Sequence, residues 1–150
     1  KRTLMAGLNR LPVISKLRTN KTPTRRFPWG DQADPNRMNY KETKLETTNS
    51  VGIFSGSASP YGVEELSGNC REWTRNLWGK DPTDCAFSYP YQISDGREQL
   101  DADINVLGIL RGGIYSNEEA DMRLTVSGWR HPVDGSHAFR VVVSPSTFGL

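Results

Sequence analysis

The segment VLGILRGG at 106–113 constrains this chain most: an apolar run rich in β-branched residues that ends on two glycines reads as a strand stopped by a close turn. AFRVVVS at 138–144 has the same character and gives the second clear strand. CREWTRNLWG at 70–79 reads as a strand or extended segment carrying Trp73 and Trp78, and SVGIFSG at 50–56 as a short strand. SPYGVEELSGN at 59–69 predicts a turn leading into one helical turn. With 14 Gly, 9 Pro and only 35% hydrophobic residues, long regular elements should be few, and the fold class expected is a loop-rich α+β domain.

At 150 residues the chain has the length of one domain able to bury a core. The net charge of +2 is unevenly spread: residues 1–30 hold eight Lys or Arg and no acid, whereas 31–150 hold eleven bases and seventeen acids. The first 26 residues are therefore a basic segment, in which apolar Leu4, Leu8, Leu11, Ile14 and Leu17 suggest a short helix broken at Pro12. Its cations are spread out with little aromatic interleaving, so a solvated head is expected and nucleic-acid binding is not. The single Arg111-Gly112-Gly113 points the same way, because RGG tracts bind RNA as repeated arrays. No apolar stretch approaches the ~20 residues that cross a bilayer, so no membrane insertion is expected. The first residue is Lys1, which fits a trimmed or processed piece of a longer chain. Cys70 and Cys85 match no metal or redox spacing and are expected to be free, partly buried thiols, which favours a reducing, cytoplasmic compartment.

FPWGDQADPNRMNY at 27–40 is expected to be an ordered loop with buried anchors, and 80–105 a long surface loop pinned by Phe87, Tyr89 and Tyr91. Trp29, Trp73 and Trp78 are expected in the core, while Trp129, in a polar stretch beside Arg130 and His131, is expected to be an exposed contact.

Seven motifs then fall in fixed order: RLP at 10–12, FPWGD at 27–31, PNRMN at 35–39, TTNSVGIF at 47–54, SPYGVEELSGNCREWT at 59–74, ILRGG at 109–113 and AFRVV at 138–142. Together they resemble the C-terminal half of the formylglycine-generating enzyme family, also called sulfatase-modifying factor domains. The family pattern runs RLPTEAEWE, YPWG, SPYGLxDMxGNVWEWT, VLRGGSW and GFRVV. The resemblance covers nearly all of 1–150 and implies a single domain with a C-type-lectin-like fold, here without the family's N-terminal half.

The departures bear on chemistry. In catalytically competent members a Ser and then two cysteines follow the Gly-Gly, and their thiolates hold the copper that activates oxygen. The equivalent positions here are Ile114, Asn117 and Met122. Copper(I) is soft and requires thiolates, which an amide and one thioether do not replace, so no copper and no oxidase of this type are expected. Relatives that act as non-haem iron enzymes use a separate helical domain with a three-His ligand set. This chain has only His131 and His137, with Asp134 between them, which reads as a polar loop rather than a site.

The resemblance further implies a structural calcium at the GNxWEW turn, on Glu65, Gly68, Cys70 and Glu72, although Arg71 stands where the family has Trp. Calcium takes six to eight oxygens, for which two carboxylates and the carbonyls of a Gly-Asn turn are a start. A second family calcium position maps to Asn39 and the Tyr40 carbonyl, with a shortened acidic loop.

Between two well-matched strands, residues 114–137 match poorly. The same segment is a binding surface in the similar variable domains of diversity-generating retroelements. Here it offers Tyr115, Ser116, Asn117, Glu118, Glu119, Asp121, Trp129, Arg130, His131, Asp134 and His137, the mixture of aromatic anchors and adaptable polar groups that paratopes use. The expected function is a non-catalytic module that binds a protein or peptide ligand. The alternatives are a divergent sulfatase-modifying or non-haem iron oxidoreductase, and a structural subunit of a larger assembly.

Overall fold

A computed structural model of the chain describes residues 25–135 and 137–141. The expected basic helix and the RLP motif lie outside the described residues. Four strands form one small mixed sheet: β1 (Glu72–Gly79), β2 (Leu107–Arg111), β3 (Gly128–Arg130) and β4 (Ala138–Phe139), in the order β3-β2-β1-β4. β1 runs antiparallel to β2, β2 antiparallel to β3, and β4 lies parallel to β1. Two 3-10 turns, Lys41–Thr43 and Glu119–Met122, are the helical elements among the described residues. The loop-rich α+β reading holds at this level, and no helix among the described residues is long and apolar enough to cross a membrane.

β1 and β2 form as the sequence predicts, with Leu107 and Leu110 of β2 buried. The register of β1 against β2 slips twice, between Trp73 and Leu77 and between Leu77 and Gly79. The Trp73 ring lies over Gly108, where an added Cβ would sit 2.8 Å from the indole, so only a glycine permits that approach. β3 and β4 lie on opposite edges, so their connection must cross three strand spacings, about 14 Å. It delivers His137 to the edge of the Trp73 ring, centroid to centroid 5.8 Å.

Several expectations need correction. SVGIFSG is a succession of turns, not a strand, because Gly52 takes φ +89° and gives its N–H to the Glu65 carboxylate at 2.8 Å instead of to a ladder. SPYGVEELSGN contains no helical turn; positive φ at Gly62, Glu65, Gly68 and Asn69 keeps breaking any helical run. Within the described part of AFRVVVS only Ala138–Phe139 pairs. Trp29, Trp73 and Trp78 are half-buried rather than fully enclosed, and Trp129, expected to be exposed, is half-buried on β3.

The buried cluster is built from the ordered loop: Phe27, Met38, Tyr40 and Met122, with Trp29 and Ala33 against it. Phe27 stacks on Trp29 at 5.7 Å, and the Phe27–Gly30 bridge closes the turn. Burial and the hydrogen bond to Glu42 push the Tyr40 phenol up to about 12. In the loop between β1 and β2, Tyr89 and Tyr91 are 73% and 45% exposed rather than buried anchors, and Phe87 is half-buried. Arg97 holds the loop: 3% exposed, it binds Asp95, donates to the Ser88 carbonyl at 2.9 Å and stacks on the Tyr91 ring.

Candidate functional site

The segment after Gly113 folds back into the molecule. Met122 is 1% exposed and fills the space over Gly113, where an added Cβ would lie 2.2 Å from the Met122 methyl. Gly113 also has φ +76°, so the turn depends on glycine twice over. The Met122 carbonyl accepts from the buried Ser67 hydroxyl at 3.0 Å. Asn117 turns inward: its Oδ1 accepts from the Ile114 N–H at 3.0 Å and from Arg71 Nη2 at 3.4 Å, while its carbonyl accepts from the Lys41 N–H at 3.1 Å. Asn117 is thus an inward amide and Met122 a core thioether.

Tyr115 is anchored through its N–H to the Asn69 carbonyl at 3.1 Å, with Ser116 exposed beside it. Glu118 pairs with Lys41, and Glu119 with Arg26 at 3.2 Å, so these two carboxylates tie the segment to the Phe27 loop. Both pairs are open to water and contribute little to stability. Asp121 lies at the half-buried end of the same 3-10 turn.

The second part of the surface is carried by the sheet. Trp129 pairs with Ile109 across β3 and β2, and its ring tilts against Trp78 at 6.5 Å. The Arg130 guanidinium lies over the Trp129 ring at 5.9 Å and reaches Asp134 at 3.7 Å. Asp134 is also 3.6 Å from His137 Nε2, and the His137 side chain is 9% exposed. His131 is exposed. No group of three or more His, Cys, Asp or Glu able to hold a metal ion occurs among the described residues.

Arg71, noted in the sequence only as a departure from the family's Trp, joins the two parts. Its guanidinium reaches Asn117 and lies about one van der Waals contact from Gly128, at 3.6 Å from an ideal Cβ there. Its carbonyl accepts from the Ala138 N–H at 2.9 Å. No spacing rule singles out such a bridge, because it depends on β3 lying two strands from β1.

Glu65, Gly68, Cys70 and Glu72 line one cleft with Ala138, Phe139 and Arg140. The arrangement does not fit a calcium ion as it stands. Arg140 takes both Glu72 oxygens, at 2.9 and 2.7 Å, and one Glu65 oxygen is held by the Gly52 N–H. The calcium expectation rests on the Cys70 carbonyl, not its thiol, which burial and then Glu72 push up. The two cysteines are free and partly buried, as expected. Gly68 packs on the Asn39 carbonyl, and Asn39 is itself 1% exposed. The Asn39 amide nitrogen binds the Thr47 carbonyl and Asn49 Oδ1, both at 2.8 Å, whereas its Oδ1 is buried without a hydrogen-bond partner.

Comparison with known proteins agrees with these motifs. Residues 10–145 match the family model of the sulfatase-modifying factor enzyme 1-like domain. Over 117 residues the chain is 26% identical to the serine/threonine-protein kinase pkn1 of Chlamydia pneumoniae, covering 77% of this chain and 17% of that protein. Over 110 residues it is 27% identical to hercynine oxygenase of Mycolicibacterium smegmatis, covering 73% of this chain and 25% of the relative. Hercynine oxygenase of Mycobacterium tuberculosis is 26% identical over 113 residues, or 72% and 24%. The chain therefore spans a quarter or less of the relatives' lengths. With 136 of its 150 residues inside the family model (10 to 145, inclusive), the chain belongs to the sulfatase-modifying factor enzyme 1-like domain family.

Proposed function

We propose that the chain is a non-catalytic binding module, with a C-type-lectin-like fold lacking the family's N-terminal half, that presents residues 114–137 to a protein or peptide ligand. The observation that carries this reading is the pair Asn117 and Met122. One is spent on the Ile114 N–H and Arg71, the other is packed in the core, so the segment is held by hydrogen bonds and apolar contacts and supplies no thiolate pair. Around it stand an anchored Tyr115 and a tilted Trp78–Trp129 pair, and rigid aromatics of this kind supply contact area at low entropic cost. Similarity to 17% of a protein named as a kinase supports a module carried beside an unrelated activity.

A second reading, a non-haem iron oxidoreductase, has the similarity to hercynine oxygenase in its favour. The described residues of this chain do not supply an iron ligand group, so that activity would draw its metal ligands from elsewhere. Affinity capture from the source cell separates the readings when repeated with Tyr115→Ala and Trp129→Ala. A binding module loses its partner, by about tenfold or more for either anchor. A chain retained equally well by both variants is held through another face, and the reading fails.

A further inference from the structure

A second cleft lies between β1, β2 and the loop that joins them. It encloses about 270 Å³ and is lined by Leu77, Trp78, Phe87, Ile109, Tyr89 and Arg111, with Arg97, Cys85 and small polar residues completing the wall. That is the lower end of the size range for small-ligand sites, enough for one aromatic group. The two cationic side chains in the lining face no lining Asp or Glu.

The two arginines differ. Arg97 carries its own counter-ion, Asp95, at 2.7 Å and serves to brace the loop. Arg111 is in none of the ion pairs among the described residues. Its Nη1 donates to the carbonyls of Leu124, Thr125 and Val126 at 3.1 to 3.3 Å, and its Nη2 to the Tyr89 hydroxyl at 3.3 Å. These bonds fix the plane of the guanidinium but bring it no carboxylate among the described residues, with donors on Nε and Nη2 still to be used there. Tyr89 accepts from Arg111 and keeps its own proton to donate. A half-buried cation held in place beside an apolar wall favours an anion that brings its own apolar surface.

We propose that this cleft binds a carboxylate carried on an aromatic stem, the carboxylate on Arg111 and Tyr89 and the ring against Trp78, Phe87 and Ile109. The cleft borders the contact surface at 114–137, sharing Ser127 with it and Trp78 with its Trp78–Trp129 pair, but the carboxylate site stands whether or not that surface holds a protein ligand. Titration of the chain with phenylacetate and with its neutral isostere phenylacetamide, followed by amide chemical shifts, tests it. Phenylacetate should bind with Kd of about 1 mM, as its size allows, and phenylacetamide at least tenfold more weakly. Arg111→Gln should weaken phenylacetate by about tenfold and Tyr89→Phe by about threefold, whereas Arg75→Gln, on an exposed side chain, should change nothing. Should Arg111→Gln loosen the 124–126 turn and unfold, the exposed Tyr89→Phe and the amide comparison still decide the matter. A peptide ending in Phe, set against its C-terminal amide, then distinguishes a peptide carboxylate from a free acid. Equal binding of acid and amide, or no shifts around Arg111 with up to about 20 mM phenylacetate, overturns the proposal.

Discussion

Arg140 grips Glu72 with two parallel hydrogen bonds, Nε to Oε2 at 2.9 Å and Nη2 to Oε1 at 2.7 Å, and so latches the parallel edge strand β4 onto β1. The same Nη2 reaches the Glu65 carbonyl at 3.3 Å. The hydrogen bond to Glu72 is the main reason that the Arg140 guanidinium holds its proton even more firmly than usual. Arg140→Ala should lower unfolding free energy by about 1–2 kcal/mol, and Arg140→Lys should recover less than half, because an ammonium cannot make both bonds. Urea titration of the three proteins checks this. With the latch removed, Glu72 is free, and millimolar calcium should restore part of the loss in Arg140→Ala beyond any gain in the parent chain.

Met122 is the residue by which the segment after Gly113 joins the core. Met122→Ala should cost about 2–4 kcal/mol, the range for emptying a fully buried large side chain, and Gly113→Ala should be comparably damaging. Thermal melts would show it. A cost under about 0.5 kcal/mol for both would mean that the segment is loosely held and that its geometry is not fixed by packing.

At Gly68 the backbone has φ +87°, and an added Cβ would lie 2.4 Å from the Asn39 carbonyl oxygen. Neither partner is a flexible side-chain end. Gly68→Ala should therefore cost more than about 2 kcal/mol, whereas Gly96→Ala, at a similar positive φ but with open space around it, should cost about 1 kcal/mol. Comparing the two variants by denaturant titration separates crowding from backbone strain.

The loop between β1 and β2 should be the acid-sensitive part of the molecule. Asp81, Asp95 and Asp103 all sit in it with carboxyls held below the ordinary range, chiefly by hydrogen bonds from Thr83, Arg97 and Asn105 respectively. A carboxylate whose folded pKa is depressed contributes stability above its unfolded value and loses it as pH falls through the folded one. The loop should thus be intact above about pH 4 and loosen below it. Amide exchange between pH 6 and pH 3, corrected for intrinsic rates, should show protection at Leu77 lost before protection in the rest of β1, because the Leu77 N–H is bonded to the Arg97 carbonyl.

The parts legible in the sequence were those fixed by local chemistry. VLGILRGG announces its strand because apolar side chains and two terminal glycines act within a few residues, and the FPWG loop announces its anchors in the same way. SVGIFSG misleads because its pairing is decided by Glu65, thirteen residues on, whose carboxylate takes the Gly52 N–H. Arg97 is not legible in the sequence as the brace of a long loop, since a buried arginine is unusual until its local Asp95 is known to accompany it. In the candidate surface Tyr115 and Trp129 were identifiable by residue type. The inward turn of Asn117, the pairing of Glu118 and Glu119 with the Phe27 loop, and the bridge made by Arg71 depend on contacts across the fold.

The proposed reading keeps the family scaffold around a 114–137 segment that binds a ligand and does not oxidise a cysteine. The direct measurement is incubation of the purified chain with copper(I), oxygen and a reductant on a cysteine-containing sulfatase peptide, with the peptide's mass followed over time. The account predicts a cysteine that stays unconverted, at the level of a control without protein. Catalytic conversion of that cysteine to formylglycine would contradict it.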